Sequence, residues 1–147
     1  MDTFSLDFQL YRTSRALTAA MDNQLRSLHI NSPQLLILLL IERHPEVTSA
    51  HLARLAAVAP QTMHRSLQTL ERNQLISKQA KQGDDKSLYI ALTPQGKRIL
   101  RQGGQRVKKV QTVTMQGLGL EELQIMQELL RKYEQILQRM EGAKYED

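Results

Sequence analysis

The chain has 147 residues, with 20 Lys and Arg against 15 Asp and Glu, a formal net charge of +5, and no cysteine. That length sustains a core without staples, and the missing thiols exclude disulfide frameworks, thiolate zinc sites, iron–sulfur clusters, cysteine nucleophiles and thiol switches. The charge excess favours a polyanionic partner, whereas 4 Tyr, 2 Phe and no Trp are too few for a single-strand stacking platform.

The start, Met1-Asp2-Thr3-Phe4-Ser5, lacks the basic and apolar regions of a secretion signal. The most apolar run, residues 35–41, is far shorter than the about 20 residues that span a bilayer, so a cytoplasmic location is expected. Over residues 6–28 the spacing of Leu10, Leu17, Met21 and Leu28 predicts a helix, with Tyr11 and Leu25 widening its stripe. Asn31-Ser32-Pro33 is a start signal in which Ser32 is the expected N-cap and Pro33 suits the first turn. The helix it opens, over residues 33–43, is apolar nearly all round and belongs at the centre; His44-Pro45 ends it.

Thr48-Ser49 caps a short helix through Ala56, and Pro60 opens another that runs to about Asn73 with Met63, Leu67 and Leu70 on its buried face. Two helices joined this tightly are the helix-turn-helix pattern. Residues 76–81 then read as a strand, Gln82-Gly83-Asp84-Asp85 as a turn, and Leu88, Ile90 and Leu92 as the alternation of a second strand. A hairpin in this place is a wing, with Lys81 and Lys86 flanking its tip. Thr93-Pro94 caps a long helix carrying Ile99, Leu100, Val107 and Val110. Gly103-Gly104 inside it costs about 1 kcal/mol per glycine relative to alanine, which close packing against another helix explains better than a hinge.

The last helix starts near Gly119, with Glu121 and Glu122 at the positive end of its dipole. Leu123, Met126, Leu130, Tyr133, Leu137 and Met140 follow the alternating three-and-four spacing of a heptad-like seam, and Leu129 and Ile136 make it wider than one partner helix requires. Charge is divided along the same lines. Residues 1–42 hold three bases and four acids, residues 43–109 thirteen bases and four acids, and residues 110–147 four bases and seven acids. A strongly basic centre therefore lies between mildly acidic ends, a localisation that a merely solvated surface explains less well than an anion-binding one.

The ordered strings Leu52-Ala53-Arg54-Leu55-Ala56-Ala57-Val58, Thr62-Met63-His64-Arg65-Ser66-Leu67-Gln68-Thr69-Leu70-Glu71 and Asn73-Gln74-Leu75-Ile76, followed by Asp84-Asp85-Lys86 and Leu92-Thr93-Pro94-Gln95-Gly96, carry a resemblance over nearly the whole chain. In their order and spacing the sequence resembles the MarR family of winged helix-turn-helix regulators. The resemblance implies a mainly α fold with a small β-hairpin wing: a winged helix-turn-helix DNA-binding domain over residues 33–109, and a helical dimerisation lobe from residues 1–32 and 110–147. It implies a homodimer in which the first and last helices interlock. Leu10, Leu17, Leu123, Met126, Leu130, Tyr133, Leu137 and Met140 are the expected dimer contacts, and a dimer buries a seam that would otherwise be an exposed patch.

By the same resemblance the helix opening at Pro60 enters the major groove of duplex DNA, with Gln61, Thr62, His64 and Arg65 at the contacting positions. Gln pairs bidentately with adenine and Arg with guanine or a phosphate. His64 departs from the family, where a small hydroxyl residue is common, and a solvent-facing histidine without readout is its plainer role. Thr69 lies further along, near phosphates or simply solvated. Thr48 and Ser49 serve as caps and, at a helix N-terminus, as phosphate contacts. The wing departs too, with Asp84-Asp85-Lys86 where the family places Asp-x-Arg. Lysine lacks the planar guanidinium fork, so backbone neutralisation survives better than narrow-groove readout.

The resemblance also implies a cleft between the two lobes for a small aromatic or anionic effector, with Tyr11, Arg15, His29 and Leu35 as candidates. Arg15 would pair with a carboxylate beside a pH-sensitive His29. Core packing of Tyr11 and Leu35, and a solvated or ion-paired Arg15, is the competing reading. Nothing points to an enzyme: the four histidines have no metal-ligand spacing, and there is no phosphate-cradling glycine loop and no Gly-x-Ser-x-Gly elbow. No metal or cofactor is called for. The expected function is a ligand-responsive repressor, a homodimer on a pseudo-palindromic operator with half-sites about one helical turn apart, switched by a non-thiol signal. The alternative is a winged-helix adaptor for proteins, or a non-specific DNA-binding protein without an effector.

Overall fold

The computed structural model describes residues 3–81 and 83–142, leaving aside the side chains of residues 3, 4, 81, 84–87, 141 and 142. Two compact units divide it, Met1–Lys108 and Lys109–Asp147. The first contains α1 (Thr3–Leu25), a 3-10 turn (Arg26–Leu28), α2 (Ser32–Arg43), α3 (Ser49–Leu55), α4 (Pro60–Arg72), β1 (Ile76–Lys81), β2 (Asp84–Leu92) and most of α5 (Pro94–Gly117). The second holds the end of α5 and α6 (Leu120–Gly142). Mainly helical with one hairpin, this is the expected fold class.

The first helix stops three residues before the predicted 28. Its last turn tightens to 3-10 geometry, closed by His29 in the left-handed region (φ 55°), whose N–H donates to the Arg26 carbonyl at 3.1 Å. Asn31, not Ser32, caps α2. Its carboxamide oxygen accepts from the Gln34 N–H at 2.9 Å, and Gln34 Oε1 accepts from the Asn31 N–H at 3.0 Å. This reciprocal capping box needs a Gln or Glu three residues on, which Asn31 has and Ser32 lacks. The Ser32 N–H donates instead to Asp22 Oδ1 at 2.6 Å, tying α1 to α2. As its composition requires, α2 is central: Leu35, Ile37, Leu38 and Ile41 are buried.

Thr48 caps α3 as predicted, its hydroxyl accepting from the His51 N–H at 3.2 Å. The tight turn into α4 is a Schellman closure. Val58 N–H donates to the Ala53 carbonyl and Ala57 N–H to that of Arg54, with Ala57 left-handed at φ 52°. The end of α4 repeats it: Leu75 N–H donates to Leu70, Gln74 N–H to Glu71, and Gln74 sits at φ 60°. Together α2, α3 and α4 close over a core whose fully buried side chains include Leu25, Leu38, Val47, Leu52, Met63, Leu67 and Leu70.

The antiparallel hairpin pairs Ile76 with Leu92 through Ala80 with Leu88, then skips to Lys81 with Asp84 across an irregularity. The second strand therefore starts at Asp84, four residues earlier than the predicted alternation from Leu88, because Gly83 at φ 85° permits a tighter turn than 82–85 would make. Gln82 of that predicted turn lies outside the described residues. A single bridge from Val47 to Ile90 anchors the α2–α3 loop to the wing.

Thr93 organises the entry of α5. Its hydroxyl accepts from the Gly96 N–H at 2.9 Å and donates to the Gln74 carbonyl at 2.7 Å. Gly96 is pressed on the preceding loop so closely that a Cβ there would lie 1.9 Å from the Leu75 carbonyl oxygen. Gly103 and Gly104 do not break α5. A Cβ on Gly103 would meet Leu35 Cδ1 at 2.7 Å and Leu25 Cδ2 at 3.2 Å, so this glycine admits the core leucines, as close packing requires. Around Gly104 nothing lies within 4 Å. Gly104→Ala therefore gains helix propensity without a clash and should raise stability by about 1 kcal/mol, read as a higher urea midpoint with an unchanged slope.

In the second unit Gly119 precedes α6, its N–H donating to Glu122 Oε2 at 2.9 Å, so Glu122 works as a cap as well as a charge at the dipole. Met126, Leu130, Leu137 and Met140 of the seam are between 43 % and 63 % exposed, Leu123 and Tyr133 half-buried, and Leu129 and Ile136 exposed beside them. An apolar face this wide on a single chain is an unfinished surface. Among the described residues no helix is long and apolar enough to cross a membrane.

Candidate nucleic-acid interface

The amphipathic division of α4 decides which side chains reach outward. Met63, Leu67 and Leu70 point into the core; at 100° per residue the opposite face is centred on Gln61, Arg65 and Arg72, with Gln68 at its edge. Gln61, Thr62, His64 and Arg65 are all exposed. Thr62 and His64 sit on the two flanks of that face rather than on its midline. Gln68, exposed at the edge of that face, is not among the motif positions; the helical period is the signal that adds it. Thr69 is half-buried and its hydroxyl donates to the Arg65 carbonyl at 3.1 Å. That local bond leaves it an acceptor only.

At the start of α3, Thr48 is exposed with its hydroxyl occupied by the cap, and Ser49 is half-buried. Where α4 meets the wing, Lys78 Nζ pairs with Glu71 Oε2 at 3.1 Å, so one lysine of the basic centre is already neutralised. The pair is partly exposed and contributes at most about 1 kcal/mol. The backbones of Lys81 and Lys86 belong to the two strands, and their side chains lie outside the described residues.

The effector candidates are distributed unevenly. Tyr11 is 63 % exposed, which overturns its reading as a core residue: α1 turns that edge away from the cluster around Leu25 and Ile30. Leu35, by contrast, is 6 % exposed and packs where Gly103 leaves room, so it is a core residue as the competing reading had it. Arg15 is exposed, and so is His29, which closes the turn after α1. Of the α1 candidates for dimer contact, Leu10 is half-buried and Leu17 is 49 % exposed.

Comparison with known proteins places these features in a family. The family model described as "MarR family" matches residues 30–88, which span the helix-turn-helix and most of the wing. The HTH-type transcriptional repressor Rv2887 of Mycobacterium tuberculosis is 30 % identical over 100 residues, covering 68 % of this chain and 72 % of that protein. The organic hydroperoxide resistance transcriptional regulator of Bacillus subtilis is 32 % identical over 91 residues, 62 % of each chain. Among solved structures, the Staphylococcus aureus MepR–DNA complex superposes with a TM-score of 0.82 at 21 % identity, covering 93 % of this chain and 99 % of that one. The Mycobacterium tuberculosis protein Rv2887 in complex with salicylic acid gives 0.69 at 26 % identity, covering 87 % and 95 %. The chain belongs to the MarR family of winged helix-turn-helix transcriptional regulators.

Proposed function

We propose that the chain is a homodimeric, sequence-specific DNA-binding repressor, released from a pseudo-palindromic operator by a small aromatic or anionic effector. The observation that carries this reading is the polar outer face of α4, which presents Gln61 and Arg65 to solvent while Met63, Leu67 and Leu70 anchor the helix from behind. A rigid amphipathic helix with bidentate hydrogen-bonding groups near its N-terminus suits the major groove, where Gln reads adenine and Arg reads guanine. Thr48 and Ser49 border the face as phosphate neighbours, Thr62 and His64 flank it, and Thr69, whose hydroxyl proton is spent on the Arg65 carbonyl, is the weakest of the set. Lys81 and Lys86 bring charge on the wing.

Residues 33–109 form the DNA-binding part in this reading, and residues 1–32 and 110–147 the dimerisation part. The exposed seam of α6, with Leu10 and Leu17 of α1, supplies the apolar area that a second copy covers. Effector release follows if the ligand binds the DNA-incompetent dimer better than the competent one. The similar structures of MepR with DNA and of Rv2887 with salicylic acid support both halves of the reading. Arg15 is the cation for such a carboxylate, with Tyr11 one turn before it on α1; His29, about 20 Å further along the chain at 1.5 Å per helical residue, and Leu35, a core residue, do not join that site within one subunit.

Sedimentation velocity tests the assembly: the free protein should run at twice its 16.9 kDa chain mass and bind a duplex as two chains. A monomer that binds DNA one chain at a time contradicts it. Wing contact is tested separately. Lys86→Ala should weaken DNA binding and flatten the slope of log affinity against log salt by about one unit, with little change in sequence preference. An unaltered slope argues against wing contact with the backbone.

A further inference from the structure

A second small-molecule site lies, we propose, at the base of the wing, and it takes a zwitterionic amino acid with an apolar side chain. A cavity of about 410 Å³ opens there between the end of α2, the loop to α3, β2 and the first turn of α5. Ligand pockets run from about 300 to 1,000 Å³, so this one is at the small end of the range. Its floor is apolar: Ile41 and Ile90 are buried beneath it, and the half-buried ring of Tyr89 stands beside them. Its rim carries charge of both signs, Glu42 and Glu46 from the α2 side and Lys97 from α5. Among the described residues neither Glu42 nor Lys97 is held in an ion pair.

That charge pattern selects the ligand class. A simple anion meets the Glu42 carboxylate, and a simple cation meets the Lys97 ammonium. A molecule with an ammonium at one end, a carboxylate at the other and an apolar substituent satisfies the rim and the floor together. The residues are distinct from Tyr11, Arg15, His29 and Leu35, so this site is additional to the effector cleft of the proposed function. Occupancy would tie β2 to the end of α2 beside the Val47–Ile90 bridge, bracing the wing against the helix-turn-helix.

Isothermal titration calorimetry on the full chain tests it, with L-leucine, L-phenylalanine and L-tryptophan as probes, each also as its N-acetyl and its amide derivative. At least one free amino acid should bind saturably at millimolar concentration or below, and both of its derivatives should bind at least about tenfold more weakly. Glu42→Gln should weaken the free amino acid while sparing the N-acetyl form. Lys97→Met should weaken it while sparing the amide form. A structural role for either residue would not produce that crossed pattern. No saturable binding by any of the three probes, or binding indifferent to both derivatives and both variants, overturns the proposal. DNA binding of the ligand-free protein, measured alongside, reports on the proposed function independently.

Discussion

Gly96→Ala should destabilise the protein by about 3 kcal/mol, the upper part of the range for forcing atoms into a packed site. The reason is the contact partner. The added Cβ would lie 1.9 Å from the Leu75 carbonyl oxygen and 2.9 Å from its carbon, and these are backbone atoms that no rotamer change moves aside. Relief requires separating α5 from the loop after α4, and that junction is held by two hydrogen bonds from Thr93, itself fixed by the cap bond from Gly96. Thr93 N–H donates to Leu75 O at 3.1 Å, Thr93 Oγ1 donates to Gln74 O at 2.7 Å, and Gly96 N–H donates to Thr93 Oγ1 at 2.9 Å. Urea denaturation monitored by circular dichroism reads the loss. Gly104→Ala is the control, the same chemical change in the same helix with the opposite sign. A Gly96→Ala variant as stable as the parent would mean that α5 does not enter against Leu75 as described.

Arg65→Ala should cost about 1–3 kcal/mol in operator binding and relax sequence preference at one base pair of each half-site. Arg65 is exposed on the midline of the outer face of α4, away from Met63 and Leu67, so its loss leaves the fold intact. Fluorescence anisotropy against the preferred duplex and against single-base variants separates two outcomes. Loss of discrimination at one position identifies a base contact. A uniform loss across sequences, with the salt slope reduced by about one, identifies a phosphate contact and removes Arg65 from readout. Unchanged affinity contradicts the placement of α4 in the groove.

Elements governed by local chemistry were legible in the sequence. Thr48 and Thr93 are caps because a hydroxyl reaches an amide two or three residues on, and the buried stripe of α4 follows from helical periodicity alone. The structure departs from the sequence expectation where one local rule competes with another or where the partner lies far along the chain. Ser32 and Asn31 are both good caps, and only the reciprocal bond with Gln34 decides between them. The left-handed residues at Ala57 and Gln74 are not glycines, so the Schellman closures left no compositional mark. Gly96 stands in the sequence only as one letter of a matching string, and its physical reason is the Leu75 carbonyl packed against it.

The site divides in the same way. The outer face of α4 could be drawn from the period, including Gln68, which motif matching passed over. Burial of Leu35 depends on how α1, α2 and α5 pack around Gly103, and exposure of Tyr11 on where along α1 the core ends, tertiary facts that periodicity does not encode. The seam of α6 was visible as a pattern and remains exposed in the single chain, which is where a second copy enters the proposed assembly.

Selection of bound sequences from random duplex DNA, repeated at two salt concentrations, tests the central claim most directly. A sequence-specific homodimer presenting one α4 per subunit should enrich an inverted repeat with half-site centres about one helical turn apart, and the same repeat should emerge at both salts with higher stringency at the higher one. Enrichment of no symmetric site at either concentration would contradict it, and would leave a basic winged helix that binds DNA without reading it, or that binds a protein instead.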